Sequence, residues 1–210
     1  MRPYPALIRE KCHITLICGR KGSGKTSLTI KLLRSERGWK NIYDKIISIS
    51  PTFLLQPCWG ALDPTGIDVY LDFRTDTICE LMASQTEDRS KKILLILDDL
   101  GEDIHRKECR PIYHKLIANS RHLNTSIIQL HQKISQCPTF VRSNADTFIS
   151  YNSLSGRERE ALYNEVSTVD KKTFAKIFKD ATEVQYSNFC ATFKDGRLKL
   201  YKDLEEEIYQ

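Results

Sequence analysis

Eight residues near the amino end combine glycine, lysine and threonine at a spacing that suits a polyphosphate. The stretch 19–26 reads GRKGSGKT and matches the pattern G-x-x-x-x-G-K-[ST] at every defined position. Glycines allow backbone angles that a Cβ forbids, and they let main-chain N–H groups face phosphate oxygens. The residues predicted to bind nucleotide phosphates are Gly19, Arg20, Lys21, Gly22, Ser23, Gly24, Lys25, Thr26 and Ser27.

Two side chains of this phosphate loop have expected roles of their own. Lys25 is predicted to be catalytic, because a lysine here reaches the β- and γ-phosphates of ATP. Thr26 is predicted to be a ligand of Mg²⁺ through its hydroxyl. The alternative is a glycine turn before a helix. An apolar run ending at Cys18 and the helical pattern after Lys25 favour the phosphate loop.

A pair of carboxylates follows the most apolar segment of the chain. Residues 93–97 are five consecutive branched aliphatic residues, which predict a strand buried on both faces of a parallel sheet. Ligands bind at the carboxyl ends of such strands. We therefore expect Asp98 to hold Mg²⁺, directly or through water, and Asp99 to orient and deprotonate an attacking water. The alternative is a pair of aspartates in a turn or helix cap.

A glutamine occupies the corresponding position after the next predicted strand. Residues 125–130 form that strand, and His131 and Gln132 follow it. Gln132 is predicted to be catalytic, sensing the γ-phosphate or holding the attacking water. The alternative is an ordinary loop glutamine.

The positions of these side chains depend on a mostly parallel central sheet flanked by helices. Strands are predicted at 14–18, 44–50, 69–71, 93–97, 125–130 and 145–151. Helices are predicted at 24–34, after a Thr75 cap, at 104–119, at 156–165 after Ser155, and at 170–179. Alternating segments around Asp195-Gly196 predict a C-terminal β-hairpin. Residues 52–66, with Pro64, are expected to be loop, and 204–210 a short acidic tail.

Length and composition are those of an ordinary globular protein. The chain has 210 residues, of which 40% are hydrophobic and 28% are charged. This length predicts a single domain over 1–210, with a core at 12–152 and C-terminal helices and a hairpin at 153–210. The net charge of +5 is compatible with a polyanionic partner without being diagnostic of one.

The cysteines and the amino terminus indicate the cellular compartment in which the protein is expected. The seven cysteines are an odd number without a C-x-x-C pair, which favours reduced intracellular thiols over a zinc site or disulfides. The first residues lack the apolar run of a signal peptide, and no segment is long enough to span a membrane.

The sequence resembles the genome-packaging ATPases of eukaryotic double-stranded DNA viruses, of the poxvirus packaging-ATPase type within the FtsK–HerA superfamily. The likeness depends on the phosphate loop, the strand ending in Ile49-Ser50-Pro51-Thr52, the pair Asp98-Asp99, and residues 120–132, where Arg121-His122 precede a strand and Gln132. The resemblance implies a RecA-like P-loop NTPase fold of the additional-strand, catalytic-carboxylate class.

The resemblance also implies a function. It implies a DNA-stimulated ATPase that forms a homo-oligomeric ring, a hexamer, and drives double-stranded DNA into a capsid through contact with capsid vertex proteins. The expected location is a reducing intracellular one, the host cytoplasm or viral factory, with association with the virion. The resemblance assigns Arg121 as an arginine finger given in trans. The alternative for Arg121 is an ion-paired surface arginine.

Contacts with DNA are expected to be to phosphates and independent of sequence. The candidate residues are Lys133, Arg142, Arg106, Lys107 and Arg110. Each could equally be a solvated charge. Arg20 or Lys21 could act in cis on the γ-phosphate in place of Arg121, or both could be solvated.

Two other functions stay open at this point. A P-loop kinase of a nucleotide or other small acceptor shares the phosphate loop. A nucleotide-gated assembly subunit would bind ATP without turnover. Asp99 departs from the glutamate common in related motors and is shorter, so the water must lie closer to it or move with the loop.

Overall fold

The short apolar runs form neighbouring strands of one sheet in the computed structural model, which describes residues 2–61, 66–194 and 196–209. Within these ranges the strands are β1 (Ile14–Cys18), β2 (Lys45–Ile49), β3 (Ile67–Tyr70), β4 (Ile93–Asp98), β5 (Thr125–His131), β6 (Thr147–Tyr151), β7 (Asn188–Lys194), β8 (Arg197–Lys202) and β9 (Glu206–Tyr209). Each predicted core strand is present. Of the sequence predictions, Pro64 in the loop and Asp195 in the hairpin turn lie outside the described residues.

The order of the strands is β3-β2-β4-β5-β1-β6-β7-β8-β9. All pairings from β3 through β6 are parallel, and those from β6 through β9 are antiparallel. β5 lies between β1, which leads into the phosphate loop, and β4, which ends in the carboxylates. This is the arrangement of the additional-strand class, and it confirms the predicted α/β fold with a mostly parallel sheet.

Both faces of the sheet are buried, which explains the continuous apolar runs. On β4, Ile93, Leu95 and Leu97 face one core cluster, while Leu94 and Ile96 face the other. A strand covered on both faces has no solvent side, so its residues do not alternate with polar ones.

Six α-helices in the described residues cover these faces. They are α1 (Lys25–Arg34), α2 (Thr75–Glu87), α3 (Arg110–Asn119), α4 (Thr139–Arg142), α5 (Gly156–Val166) and α6 (Lys171–Ala181). α1 packs on one core cluster, and α2, α3, α5 and α6 pack on the other. None of these helices has both the length and the apolarity needed to cross a bilayer.

Two predicted helix starts are wrong. The helix predicted from residue 104 begins at Arg110, with Pro111 in its first turn. A proline lacks the N–H needed inside a helix but is tolerated in the first turn, so the residues before Arg110 form a separate 3₁₀ turn. Thr75 is the first residue of α2 and not its cap, and the capping position belongs to Arg74.

The C-terminal region contains more regular structure than predicted. β7 and β8 form the predicted antiparallel hairpin. The segment predicted to be an acidic tail is not free, because residues 206–209 form β9 and pair with β8. Lys199 and Glu207 form an ion pair across this edge, at 3.1 Å. The described part of the predicted loop at 52–66 contains two 3₁₀ turns, Phe53–Leu55 and Pro57–Ala61.

Candidate nucleotide site

The phosphate loop leaves the end of β1 and turns into α1 by way of glycines. The Gly19 N–H donates to the carbonyl oxygen of His131 at 3.1 Å, which ties the start of the loop to the end of β5. Gly22 and Gly24 have φ angles of 78° and 98°, which a side chain would strain. A Cβ on Gly19 would lie 2.5 Å from the Ser23 Oγ. Each of the three glycines therefore has a geometric reason, and two of them, Gly19 and Gly24, are defined positions of the pattern.

The loop has the features of an anion cradle. The Ser23 Oγ is buried and, among the described residues, has no hydrogen-bond partner. The first N–H groups of α1 have no acceptor within the helix, and the helix dipole adds positive potential there. A polyphosphate would supply acceptors to both sets of donors. The residues present therefore fit the predicted ligand.

The Lys25 side chain folds back over this loop. Its ammonium donates to the carbonyl oxygens of Gly19 at 2.6 Å and Arg20 at 3.2 Å. Burial lowers the pKa of Lys25, and the negative charge of Asp98 acts in the opposite direction. Arg20 and Lys21 are exposed.

Asp98 is a buried carboxylate at the tip of β4, with only 3% of the residue exposed. Its Oδ2 lies 3.5 Å from the Ser50 Oγ and 3.5 Å from the Gln56 Nε2. Burial, together with the negative charge of Asp99, raises the pKa of Asp98 to about 6, and the positive charge of Lys25 acts in the opposite direction. A cation bound next to this buried carboxylate would stabilise its charged form.

Asp99 has the opposite environment. It is exposed, and its φ of 57° turns the chain sharply after the strand. The Gln132 Nε2 donates to the Asp99 Oδ1 at 3.1 Å. The structure thus brings these two predicted side chains into contact, at the tips of the adjacent strands β4 and β5.

The donor set at this edge suits Mg²⁺. The Thr26 hydroxyl and the Asp98 carboxylate are oxygen ligands of the kind that Mg²⁺ prefers, and Lys25 is close enough to Asp98 to affect its pKa. Mg²⁺, when bound, neutralises charge on the β- and γ-phosphates. The residues therefore fit the predicted metal.

Gln56 is a polar neighbour of Asp98 that sequence reasoning missed. Besides its approach to Asp98, its Nε2 donates to the Thr52 Oγ1 at 2.6 Å. The only signal was its place just after β2, whose carboxyl end lies at the same sheet edge as that of β4. No residue pattern distinguishes it from other loop glutamines.

Arg121 lies away from this edge within its own chain. It precedes β5, whereas Gln132 follows it, so the two residues are at opposite ends of that strand. Its guanidinium forms an ion pair with Asp146 at 2.6 Å, and its side chain is 66% exposed. A role in trans stays a prediction.

Arg142 is not a free basic residue, and its contacts within the chain do not favour the predicted contact with DNA. Its Nε is paired with Glu165 at 2.7 Å, and the side chain is only 16% exposed. It also donates to the carbonyl oxygens of Ile134 and Cys137. These bonds tie the loop after β5 to α5. The other candidates, Arg106, Lys107, Arg110 and Lys133, are exposed, although Arg106 is paired with Asp103.

A cleft of about 670 Å³ adjoins the phosphate loop. One end is formed by the loop and the first turn of α1. The walls include Tyr4, Gln56, Tyr151, Tyr186 and Asp203. This cleft could not be predicted from the sequence, because its walls come from segments far apart in the chain.

Comparison with known proteins places the chain among viral proteins. Residues 64–190 match the family described as Poxvirus A32 protein. This range contains Asp98, Asp99, Arg121 and Gln132 and begins after the phosphate loop. The DNA packaging proteins OPG160 of Variola virus and of Vaccinia virus (strain Copenhagen) are each 30% identical over 148 residues, 65% of this chain and 52% of the relative. The chain spans about half the length of these curated relatives.

Solved structures share the fold. B204, the DNA-packaging ATPase from Sulfolobus Turreted Icosahedral Virus, superposes with a TM-score of 0.63 at 19% identity, covering 96% of this chain and 98% of that one. The genome packaging NTPase B204 from Sulfolobus turreted icosahedral virus 2, in complex with AMPPCP, gives a TM-score of 0.60 at 18% identity, covering 90% and 97%.

Proposed function

The chain belongs to the poxvirus A32 protein family, and from this premise we propose that it is an ATPase that drives double-stranded DNA into a viral capsid. The observation that carries the proposal is the meeting of the phosphate loop, Asp98, Asp99 and Gln132 at one edge of the sheet. Its relatives named as DNA packaging proteins support the choice of DNA as the cargo.

The residues divide the work of hydrolysis. The loop amides and Lys25 hold the β- and γ-phosphates, and Thr26 with Asp98 would hold Mg²⁺. Asp99 accepts a proton from the attacking water, and the Gln132 amide fixes the direction of the Asp99 carboxylate. Since Asp99 is exposed, a water molecule can reach its carboxylate.

The proposal includes a ring, because Arg121 cannot serve the site of its own chain. Arg121 lies at the opposite end of β5 from Gln132, and it is exposed enough to reach a neighbouring subunit. In that arrangement its guanidinium would stabilise charge on the transferred phosphoryl group. Mixed rings test this. Asp99→Asn and Arg121→Ala subunits, each inactive alone, should recover part of the activity when mixed, and no recovery would reject a finger given in trans.

DNA would be held through its phosphates. The candidate contacts are the exposed residues Lys107, Arg110 and Lys133. They follow β4 and β5, whose carboxyl ends carry the site of hydrolysis, so movement linked to hydrolysis would be transmitted to them over a short distance. The capsid partner would be a vertex protein, by analogy with the packaging role of the relatives.

Displacement of a third DNA strand tests translocation. A fluorescent oligonucleotide forms a triplex at one end of a linear duplex, and a moving protein strips it off. The parent should release the oligonucleotide only with ATP, Lys25→Ala should not release it, and the control Lys40→Ala, altered at an exposed lysine paired with Glu36, should behave as the parent. Transfer of labelled phosphate to a small acceptor, without strand release, would favour a kinase instead.

A further inference from the structure

We propose that the cleft beside the phosphate loop binds the nucleoside end of the nucleotide and that the base stacks on Tyr186. The inference rests on the proposed function, because residues 19–27 must first hold the phosphates. It adds a subsite and a residue that the phosphate-loop pattern does not contain.

The cleft has the size and the position for this ligand. Its volume of about 670 Å³ lies within the range of small-molecule sites. It begins at Gly24 and Thr26 and continues between Tyr151, Tyr186 and Asp203. A ligand seated on the loop therefore reaches the cleft without leaving the protein surface.

The order of the strands gives the nucleotide a direction. β1 carries the phosphate loop, and the carboxylates of β4 lie on one side of it. β6 and β7 lie on the other side, and Tyr186 lies two residues before the start of β7. A triphosphate whose γ-phosphate points toward Asp98 and Asp99 therefore directs its nucleoside toward Tyr186.

Tyr186 has a backbone conformation unusual for its type. It is the third residue of a turn closed by the Ser187 N–H and the Val184 carbonyl oxygen at 3.0 Å, and its φ is 68°. Glycine or asparagine is preferred at such a position, and a bulky residue there is strained. The ring is nevertheless next to the loop, since a Cβ on Gly24 would lie 3.4 Å from the Tyr186 Cδ1.

Strained residues are concentrated around this cleft. In the described part of the chain, the non-glycine residues with positive φ are Asn41, Asp99, Asn124, Tyr186, Asp203 and Leu204. Three of them, Tyr186, Asp203 and Leu204, line the cleft. Such strain collects at ligand sites, where the surrounding structure maintains it.

Asp203 holds the turn that carries Tyr186. Its carboxylate accepts hydrogen bonds from the Ser187 Oγ at 3.0 Å and from the Asn188 N–H at 2.9 Å. Tyr186 is 62% exposed, so a base can approach its side chain. Aromatic rings stack on any nucleobase, and the subsite therefore strengthens binding without selecting adenine over guanine.

Comparison of ATP with inorganic triphosphate tests the inference by calorimetry on the full chain. Tyr186→Asn removes the ring and suits positive φ, so the fold is retained. We expect this variant to bind ATP roughly 5- to 100-fold more weakly and inorganic triphosphate as tightly as the parent. Val184→Ala, an exposed residue of the same turn outside the cleft, should leave both affinities unchanged. An unchanged ATP affinity in Tyr186→Asn, or an equal loss for both ligands, would overturn the inference.

A tryptophan at the same position gives a direct readout. In Tyr186→Trp, ATP should quench the fluorescence of the new indole and inorganic triphosphate should not, while native Trp39 and Trp59 are buried at 1% and 3% exposure. Quenching by neither ligand would reject stacking. Lys25→Ala separates the two proposals: if it binds inorganic triphosphate as the parent does, the phosphate site fails, whatever happens at Tyr186.

Discussion

Gln132 donates a hydrogen bond from its Nε2 to the Asp99 Oδ1 at 3.1 Å, across the tips of two adjacent strands. The bond uses one carboxylate oxygen of the exposed Asp99 and restricts the rotation of the group. An acid–base group and a positioning amide are thus paired before any nucleotide arrives.

Replacement of Gln132 should reduce turnover more than binding. Gln132→Ala frees the Asp99 carboxylate to rotate, so we expect kcat to fall on the order of 10- to 100-fold with little change in the affinity for ATP. Steady-state hydrolysis and equilibrium binding measure the two effects. Gln185→Ala, at an exposed turn glutamine, is the control. A loss of ATP affinity as large as the loss of kcat would show instead that Gln132 contributes to the binding of ATP itself.

Arg142 should contribute to stability and not to DNA binding. Arg142→Ala leaves Glu165 without its partner and removes the hydrogen-bond donor to the carbonyl oxygens of Ile134 and Cys137. We therefore expect a loss of roughly 2 kcal/mol in the free energy of unfolding. Lys133→Ala should leave stability unchanged and reduce the salt dependence of DNA affinity by about one counterion. Urea unfolding and DNA titration at several salt concentrations measure both. Unchanged stability in Arg142→Ala, together with a reduced salt dependence of its DNA affinity, would instead support Arg142 as a DNA contact.

Gly38 should tolerate no side chain. A Cβ there would lie 2.2 Å from the carbonyl oxygen of Leu32, which accepts a hydrogen bond from the Trp39 N–H. We expect Gly38→Ala to lose about 2–3 kcal/mol in urea unfolding. Gly60→Ala, where no atom lies within 4 Å of the added Cβ, should stay within about 0.5 kcal/mol of the parent. Equal stability of the two variants would contradict the packing described around Trp39.

His13 should make the protein sensitive to acid. The ring is buried between Tyr43 and Thr15 and stacks on Trp39, and burial lowers its pKa from 6.5 to about 3. Below pH 6.5, His13 is protonated in the unfolded chain but stays neutral in the folded chain. The free energy of unfolding therefore falls as the pH falls below 6.5. The expected loss from His13 is about 2 kcal/mol by pH 5.

The variant His13→Gln isolates this contribution. The difference in unfolding free energy between pH 7.5 and pH 5 should be about 2 kcal/mol smaller than in the parent. This holds whatever the substitution does to the stability at neutral pH. His122→Gln, at an exposed histidine, should keep the parental difference. An unchanged difference in His13→Gln would show that His13 is protonated in the folded state. His131, whose pKa burial lowers to about 4, accounts for part of the remaining sensitivity.

The fold and the centre of the site could be predicted because their signals are local. Residues 93–97 must be buried on both faces whatever surrounds them, and a glycine loop between a strand and a helix allows few structures. Parallel pairing then brings Asp99 and Gln132 to one edge without further information. That is why two residues 33 positions apart could be expected to meet.

The remainder depends on contacts between distant segments. The approach of Gln56 to Asp98 requires the register of β2 on β4 and two turns of loop. The partners of Arg142 come from α5 and from the loop after β5, and the sequence alone does not show that its charge is paired. The C-terminal segment became a strand because the edge of β8 offered unpaired backbone groups, which its acidic composition does not reveal. Tyr186 acquires its position from a turn held by Asp203.

The decisive experiment measures ATP hydrolysis by the full chain with double-stranded DNA present. It compares the parent with Asp99→Asn at saturating ATP. DNA should stimulate turnover by the parent, and Asp99→Asn should lose at least about 100-fold in kcat while binding ATP normally, because asparagine keeps the positive φ but cannot accept the proton. Hydrolysis by Asp99→Asn at the parental rate would contradict the account.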